Sequence, residues 1–347
     1  MNHNKKQKNY FLSHSVGLPF AGMEDYFSDH YFGPWHEENE PWPQWLNGIN
    51  EFRTQLAKLI NAEVDEICPQ SNLSSGLTKV IYSLPRPAQD KNVILCSAED
   101  FPSMAFVLNK AECLGYSLKF IPEHTDLHDI QQWHRYLTPD VALCLITHVQ
   151  SNNGHQLPVA KILSACHSNN TMTIVDVAQS IGLFEIDSKA WNADFILGSC
   201  VKWLCGGPGA GFLWANSKTL NKCEPVDVGW FSHQNPFEFD VRNFDYADTA
   251  LRFWGGTPSV APYIHAAFAI NKVNCIGVTK LRGLNFNYLR QIHVAVANLD
   301  ANYIKSPTDE EQCSGTVILH FADQHEQFVE RLTAANIAFD QRPLGIR

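Results

Sequence analysis

Between residues 51 and 60 the apolar side chains Phe52, Leu56, Leu59 and Ile60 recur at the spacing of one helix face. A second such stripe follows at Leu77, Val80, Ile81 and Leu84. Beyond it, short apolar runs begin to alternate with helical patterns. NVILC (92–96), LKFI (118–121), ALCLITHV (142–149), MTIVDVA (172–178), ADFILGS (193–199) and GAGFLWA (209–215) predict strands. Between them, residues 102–115 predict a helix that stops at Gly115, DIQQWHRYL predicts another, and Pro158 opens one through Cys166. A long helical stretch over about 259–300 leads to a predicted strand, TVILHF (316–321), and a helix, HEQFVERLTAAN (325–336).

Strands alternating with helices predict an α/β fold, a parallel or mixed sheet covered on both faces. The pattern divides the chain into an N-terminal arm (1–49), a large domain (50–260), and a linking helix with a small C-terminal α/β domain (261–347). The arm holds Trp35, Trp42 and Trp45, an aromatic richness that disordered segments lack.

Composition removes several function classes. A net charge of −10 argues against a nucleic-acid surface, which needs clustered Lys and Arg. No sustained apolar segment follows the basic start MNHNKKQKNY, so no membrane partner is expected and the cytoplasm is the expected location. Ten cysteines are scattered without a CxxC pair, which favours neither a zinc ribbon nor a disulfide scaffold. No HExxH motif occurs, and no metal site is expected.

In open α/β sheets, ligands gather beyond the carboxyl ends of the strands. Thr147 and His148 end one predicted strand there, Asp176 and Gln179 follow the next, and Ser199 ends a third, three residues before Lys202. Upstream, SNLSSGL (71–77) places two serines and a glycine at a helix start, a natural phosphate site. Taken singly each feature has a plain alternative: Asp176 as a helix cap, Lys202 as a solvated side chain, Ser74 and Ser75 as caps. GGPGAG (206–211) has neither GxGxxG nor Walker spacing and reads as a tight turn.

The order of these features resembles the class V aminotransferase superfamily of pyridoxal-phosphate enzymes, and within it kynureninase and its relatives. DVAQSIG (176–182) followed by GSCVKWLCGGPGAGFLW (198–214) is similar to the family's Asp-then-Lys signature. YFLSHSVGLP (10–19), EDFPSMAF (99–106), GWFSH (229–233) and RPLGIR (342–347) resemble kynureninase segments in order. The resemblance implies fold type I, like aspartate aminotransferase, with a mostly parallel seven-stranded sheet in the large domain. It implies pyridoxal 5'-phosphate held as a Schiff base on Lys202, with Asp176 on the pyridine nitrogen and Phe101 stacked on the ring. Thr147 and Gln179 match positions near the ring. Leu73, Ser74 and Ser75 match phosphate contacts, and Ser199 resembles a serine that related desulfurases place ahead of the lysine. Trp230 and Thr257 resemble phosphate contacts supplied by a neighbouring subunit, which implies a homodimer with shared sites. Arg347 matches the arginine that pairs with the substrate carboxylate, and Ser15 and His36 match positions near the substrate.

The implied activity is chemistry at the α-carbon of an amino acid, by transamination or, alternatively, by kynureninase-like Cβ–Cγ hydrolysis. Gln179 stands where kynureninase has a histidine, Val201 where it has a tyrosine, and Gly256–Thr257 near its substrate-reading asparagine. Relatives usually continue beyond the position of Arg347, so either the small domain is a shortened form or its remaining part lies outside the given sequence. Cysteine desulfurase is a competing reading, but FDQRPLGIR carries no cysteine and Cys313 reads as structural. An accessory protein that binds the cofactor without catalysis is the remaining alternative.

Overall fold

The computed structural model describes residues 9–347. The chain starts with β1 (Asn9–Tyr10), then α1 (Met23–Phe27), α2 (Gly33–Glu37) and α3 (Trp42–Leu59). The sheet region follows as β2 (Ile67–Gln70), α4 (Leu73–Ser83), β3 (Val93–Ser97), α5 (Pro102–Lys110), β4 (Ser117–Ile121) and α6 (Ile130–Tyr136). It continues through β5 (Val141–Thr147), α7 (Val159–Ser168), β6 (Met172–Asp176), α8 (Ser188–Trp191), β7 (Phe195–Ser199), β8 (Gly211–Ala215) and α9 (Ser217–Leu220). Two helices, α10 (Ala261–Ile276) and α11 (Val278–Asp300), lead to α12 (His325–Ala334), β9 (Ile337–Ala338), β10 (Gln341–Arg342) and β11 (Gly345–Ile346).

The main sheet has seven strands in the order β2-β8-β7-β6-β5-β3-β4. All neighbours are parallel except around β8, which runs against both β7 and β2. Antiparallel β8 is reached by the glycine turn at 206–211, where Gly207 and Gly209 take positive φ. The period of two along each strand sends its residues to two separate cores. On β5, Val141, Cys144 and Ile146 join α3, α7 and α10, whereas Leu143 and Leu145 join α4 and α5. β5 is therefore apolar on both faces, as a sheet covered on both sides requires.

Register then brings chemistry together. Thr147 pairs with Asp176, and Asp176 pairs with Leu197, so β5, β6 and β7 end side by side. Polar residues that close three separate strands thus share one edge of the sheet.

Two expected elements differ. The helical stretch 259–300 breaks at Gly277, whose φ of 90° no helical residue can adopt, giving α10 and α11. TVILHF forms no strand: Leu319 makes only isolated bridges to Ile304 and Ile346. The Ile318 amide donates instead to the Ser306 hydroxyl, which interrupts the ladder. What holds this region is a small core of Val296, Phe321 and Ile346, with Phe321 and Phe328 stacked at 3.8 Å. The arm belongs to it too, because β1 pairs parallel with β9. Among the described residues no helix is long and apolar enough to cross a membrane.

Candidate active site

Beyond the ends of β5, β6 and β7 lies a cavity of about 290 Å³, lined by Thr147, Asp176, Ser199 and Lys202 among others. The N-terminus of α4 closes it from the opposite side with Asn72, Leu73 and Ser74. Asn72 caps that helix, its side-chain oxygen accepting from the Ser75 amide at 2.9 Å. The amides of Leu73 and Ser74 have no acceptor within the helix, so they remain available to an anion on the positive end of its dipole.

Phe101 stands at the cavity's mouth, 44% exposed, with Lys202 Nζ 6.0 Å from its ring centroid. A flat ligand held at Lys202 has that ring as a neighbour. Asp176 is buried, and burial pushes its carboxyl above the usual range, against the Ala178 amide that donates to it at 2.8 Å and the Lys202 charge. A cationic donor placed against this carboxylate gains a charge-assisted hydrogen bond. Burial also lowers Lys202, more than Asp176 raises it, and the charges of Arg347 and Arg342 lower it further. A lysine so placed is a readier nucleophile and base than a solvated one. Behind them burial pushes Asp100 up to about 7, although the Ser97 amide donates to it at 2.8 Å.

A second, larger cavity of about 600 Å³ adjoins the first and is lined mainly by apolar side chains, with Tyr10, His14, Trp203, Cys205 and Arg347 on its walls. The partition between the two is hydrogen-bonded. Gln179 Nε2 donates to the His14 carbonyl at 3.2 Å, and Arg347 Nη1 donates to the Ser151 carbonyl at 2.8 Å. Arg347 is itself held by Asp340, through Nε at 2.9 Å and Nη2 at 2.6 Å.

Leu73, Ser74, Phe101, Thr147, Asp176, Gln179, Ser199 and Lys202 all line the smaller cavity. Ser75 does not, since its amide is spent on Asn72 and its hydroxyl accepts from Ser71 at 3.3 Å. This departs from its expected phosphate role: the cap that SNLSSGL promised is Asn72, and capping consumes the third amide. Trp230 and Thr257 lie outside both cavities; Trp230 packs against Phe231, Phe237 and Phe239, and Thr257 is exposed. Ser15 is half-buried with its amide on the Leu12 carbonyl, and it lines neither cavity. His36 is exposed, its ring beside Phe32, away from both. Neither is among the lining residues of the two cavities.

Sequence reasoning missed Asp100, Ser151, His14 and Asp340. Asp100 lies inside the quoted segment EDFPSMAF and Ser151 just beyond ALCLITHV, and a polar residue next to a strand end was the available signal. No sequence signal joins His14 to Asp340, because 326 residues separate them. Cys313 is buried, takes a hydrogen bond from Arg282 at 3.3 Å and lines neither cavity. Among the described residues no group of three or more His, Cys, Asp or Glu is arranged for a metal.

The smaller cavity fits pyridoxal phosphate on its own chemistry. The Ser151 hydroxyl lines it, buried and without a hydrogen-bond partner, and such a group is costly unless a ligand pairs it. A buried carboxylate, a lysine amine, an aromatic face and uncapped helix amides complete a donor set that matches the ring nitrogen, aldehyde, ring plane and phosphate.

A family model described as aminotransferase class-V matches residues 20–341. An uncharacterized aminotransferase of Bacillus subtilis, YcbU, is 28% identical over 241 residues, covering 70% of this chain and 63% of that protein. Kynureninase of Deinococcus radiodurans is 32% identical, covering 67% of this chain and 55% of its own length. The chain thus spans less than two thirds of these two relatives. Kynureninase of Shouchella clausii is 24% identical over 97% of this chain and 82% of that protein. Among solved structures, an apo cysteine desulfurase from Thermococcus onnurineus NA1 has a TM-score of 0.85 at 20% identity, covering 96% of this chain and 84% of that one. A complex of the cystine C–S lyase C-DES with cysteine persulfide has a TM-score of 0.84 at 20% identity, covering 98% and 92%. At that identity the likeness concerns the fold.

Proposed function

The chain belongs to the class-V aminotransferase family, and from that premise we propose that it is a pyridoxal-phosphate enzyme acting at the α-carbon of an amino acid, by transamination. The observation that carries this reading is the meeting of the Lys202 amine, the Asp176 carboxyl and the Phe101 ring on one cavity of about 290 Å³. Bound pyridoxal phosphate supplies an electron-withdrawing ring that accepts the electron pair left at the α-carbon.

The chain's residues do the rest. Lys202 Nζ would hold the cofactor through its aldehyde carbon, and its amine is the base that would move the α-carbon proton of the substrate. Asp176 keeps a proton on the ring nitrogen. Leu73 and Ser74 at the start of α4 bind the phosphate, and Thr147, Gln179 and Ser199 orient the ring from the strand ends. Arg347 receives the substrate carboxylate. Trp230 and Thr257 act on the phosphate of a second copy of the chain, so the active unit is a homodimer. The division into arm (1–49), large domain (50–260) and small domain (261–347) belongs to the same proposal.

A visible absorption band in the purified protein, absent from Lys202→Ala, is the expected result. A wild-type protein that stays colourless after addition of pyridoxal phosphate would overturn the reading. The likeness to the Shouchella clausii kynureninase along nearly the whole chain favours a second reading, Cβ–Cγ hydrolysis. The two separate on products: transamination moves the amino group to a keto acid, whereas hydrolysis consumes water and releases alanine with an aromatic acid.

A further inference from the structure

His14 is 2% exposed, yet nothing in the chemistry above uses it. Its Nε2 lies 3.0 Å from Asp340 Oδ1, and Asp340 offers both oxygens to Arg347. Of a guanidinium's five N–H groups, three are spent here, on Asp340 and the Ser151 carbonyl, which leaves one on each terminal nitrogen. Backbone bonds reinforce the pair, Asp340 N to Arg347 O at 3.1 Å and Arg347 N to Asp340 O at 2.8 Å. Asp340 also has a competing partner, since Arg342 Nη2 lies 3.7 Å from its Oδ2. Without a donor on Oδ1, the carboxylate is free to turn toward Arg342.

His14 is also bonded to a residue of the smaller cavity. Its carbonyl accepts from Gln179, and three residues on the Gly17 amide donates to the Val201 carbonyl at 2.8 Å, one residue before Lys202. A Cβ at Gly17 would lie 2.2 Å from the Lys202 carbonyl oxygen, so the arm is pressed directly against the lysine turn. The stretch 14–17 therefore joins the Arg347 fork to the Lys202 turn.

We propose that His14 is the positioning residue of the carboxylate site: it holds Asp340 on one edge of Arg347, and the guanidinium keeps its last two N–H groups aimed at one ligand carboxylate. This rests on the proposed function, in which Arg347 receives the substrate carboxylate. Burial, with Arg347 adding to it, holds the His14 imidazole down to about 4, so it serves as a neutral donor in the physiological range. The ligand class is an α-amino monocarboxylate.

The test compares wild type, His14→Ala and His14→Gln, all incubated with pyridoxal phosphate. Propionate affinity is measured by calorimetry, KM and kcat with an amino-acid substrate, and the cofactor band by absorbance. In His14→Ala, propionate affinity falls and KM rises about tenfold, kcat stays within about twofold, and the band is unchanged. His14→Gln, whose amide can donate to Asp340, recovers to within about threefold of wild type. If His14→Ala does not fold, His14→Asn, whose amide is too short to reach Asp340, takes its place. Wild-type propionate affinity and KM in the alanine variant overturn the proposal, even where that variant melts earlier. So does a fall in kcat alone. A wild type that binds propionate tenfold more tightly than His14→Ala but shows no cofactor band sinks the proposed function and leaves this inference standing.

Discussion

Asp176 and Asp100 are both buried carboxyls pushed up by burial, and their positions give them different tasks. Asp176 lines the smaller cavity, where the proposed function sets its charge against the ring nitrogen; Asp100 is not among that cavity's lining residues. Asp176→Asn keeps the shape and removes the charge. A hydrogen bond to a charged group contributes about 1.5–3 kcal/mol, so kcat/KM with the best amino acid should fall by roughly ten- to a hundredfold, read by steady-state kinetics. Asp100 makes a prediction about stability. Its pKa is raised in the folded state, from 3.8 to about 7, so the stability it contributes is fully present below the unfolded value and is lost as pH rises through about 7. Asp100→Asn has no such loss. In cofactor-free protein the variant should therefore gain on wild type between pH 4 and 8, by on the order of a few kcal/mol, measured by thermal or urea unfolding across that range.

Among the elements, α4 and the arm do most to shape the site. Asn72 is the N-cap of α4, and replacing it by Ala should cost about 1 kcal/mol of stability. Because the same turn presents the amides of Leu73 and Ser74, the variant should also lose pyridoxal phosphate faster on dialysis, followed by absorbance. The arm depends on closeness. Gly17→Ala places a methyl against the Lys202 carbonyl and the Cys205 sulfur at 2.6 Å, and overpacking of this kind costs about 1–3 kcal/mol. Its expected signature is earlier urea unfolding with faster proteolysis ahead of residue 20. Strands were the elements most legible in the sequence, because a sheet buried on both faces demands unbroken apolar runs such as Leu143–Ile146. TVILHF has the same look and failed as a strand, since Ser306 takes the amide that a neighbouring strand would have paired.

For the whole molecule, the loop 226–244 carries the prediction about assembly. It exposes Val226, Phe237, Phe239 and Val241, the last at 100%, and apolar exposure on that scale marks a contact surface. Trp230, the proposed phosphate contact for a second copy, packs against Phe237 and Phe239 within this loop. Light scattering should show a dimer for the wild type. Phe239→Glu should shift it toward monomer and weaken cofactor retention together; a monomer that keeps its cofactor as firmly as the dimer would refute the sharing of sites.

The sequence by itself determined the α/β sheet and the placing of Thr147, Asp176 and Ser199 at strand ends with Lys202 three residues on, because period and order along the chain are local properties. It named Arg347 and Ser15 through resemblance, yet not what surrounds them. Which residues meet across the cleft was decided only in three dimensions. Asn72 rather than a serine caps α4, His14 meets Asp340 from the far end of the chain, and Ser75 turns away from the cavity. The physical reason is that hydrogen-bond partners are chosen by distance and angle after the chain has packed, and no spacing along one dimension carries that information.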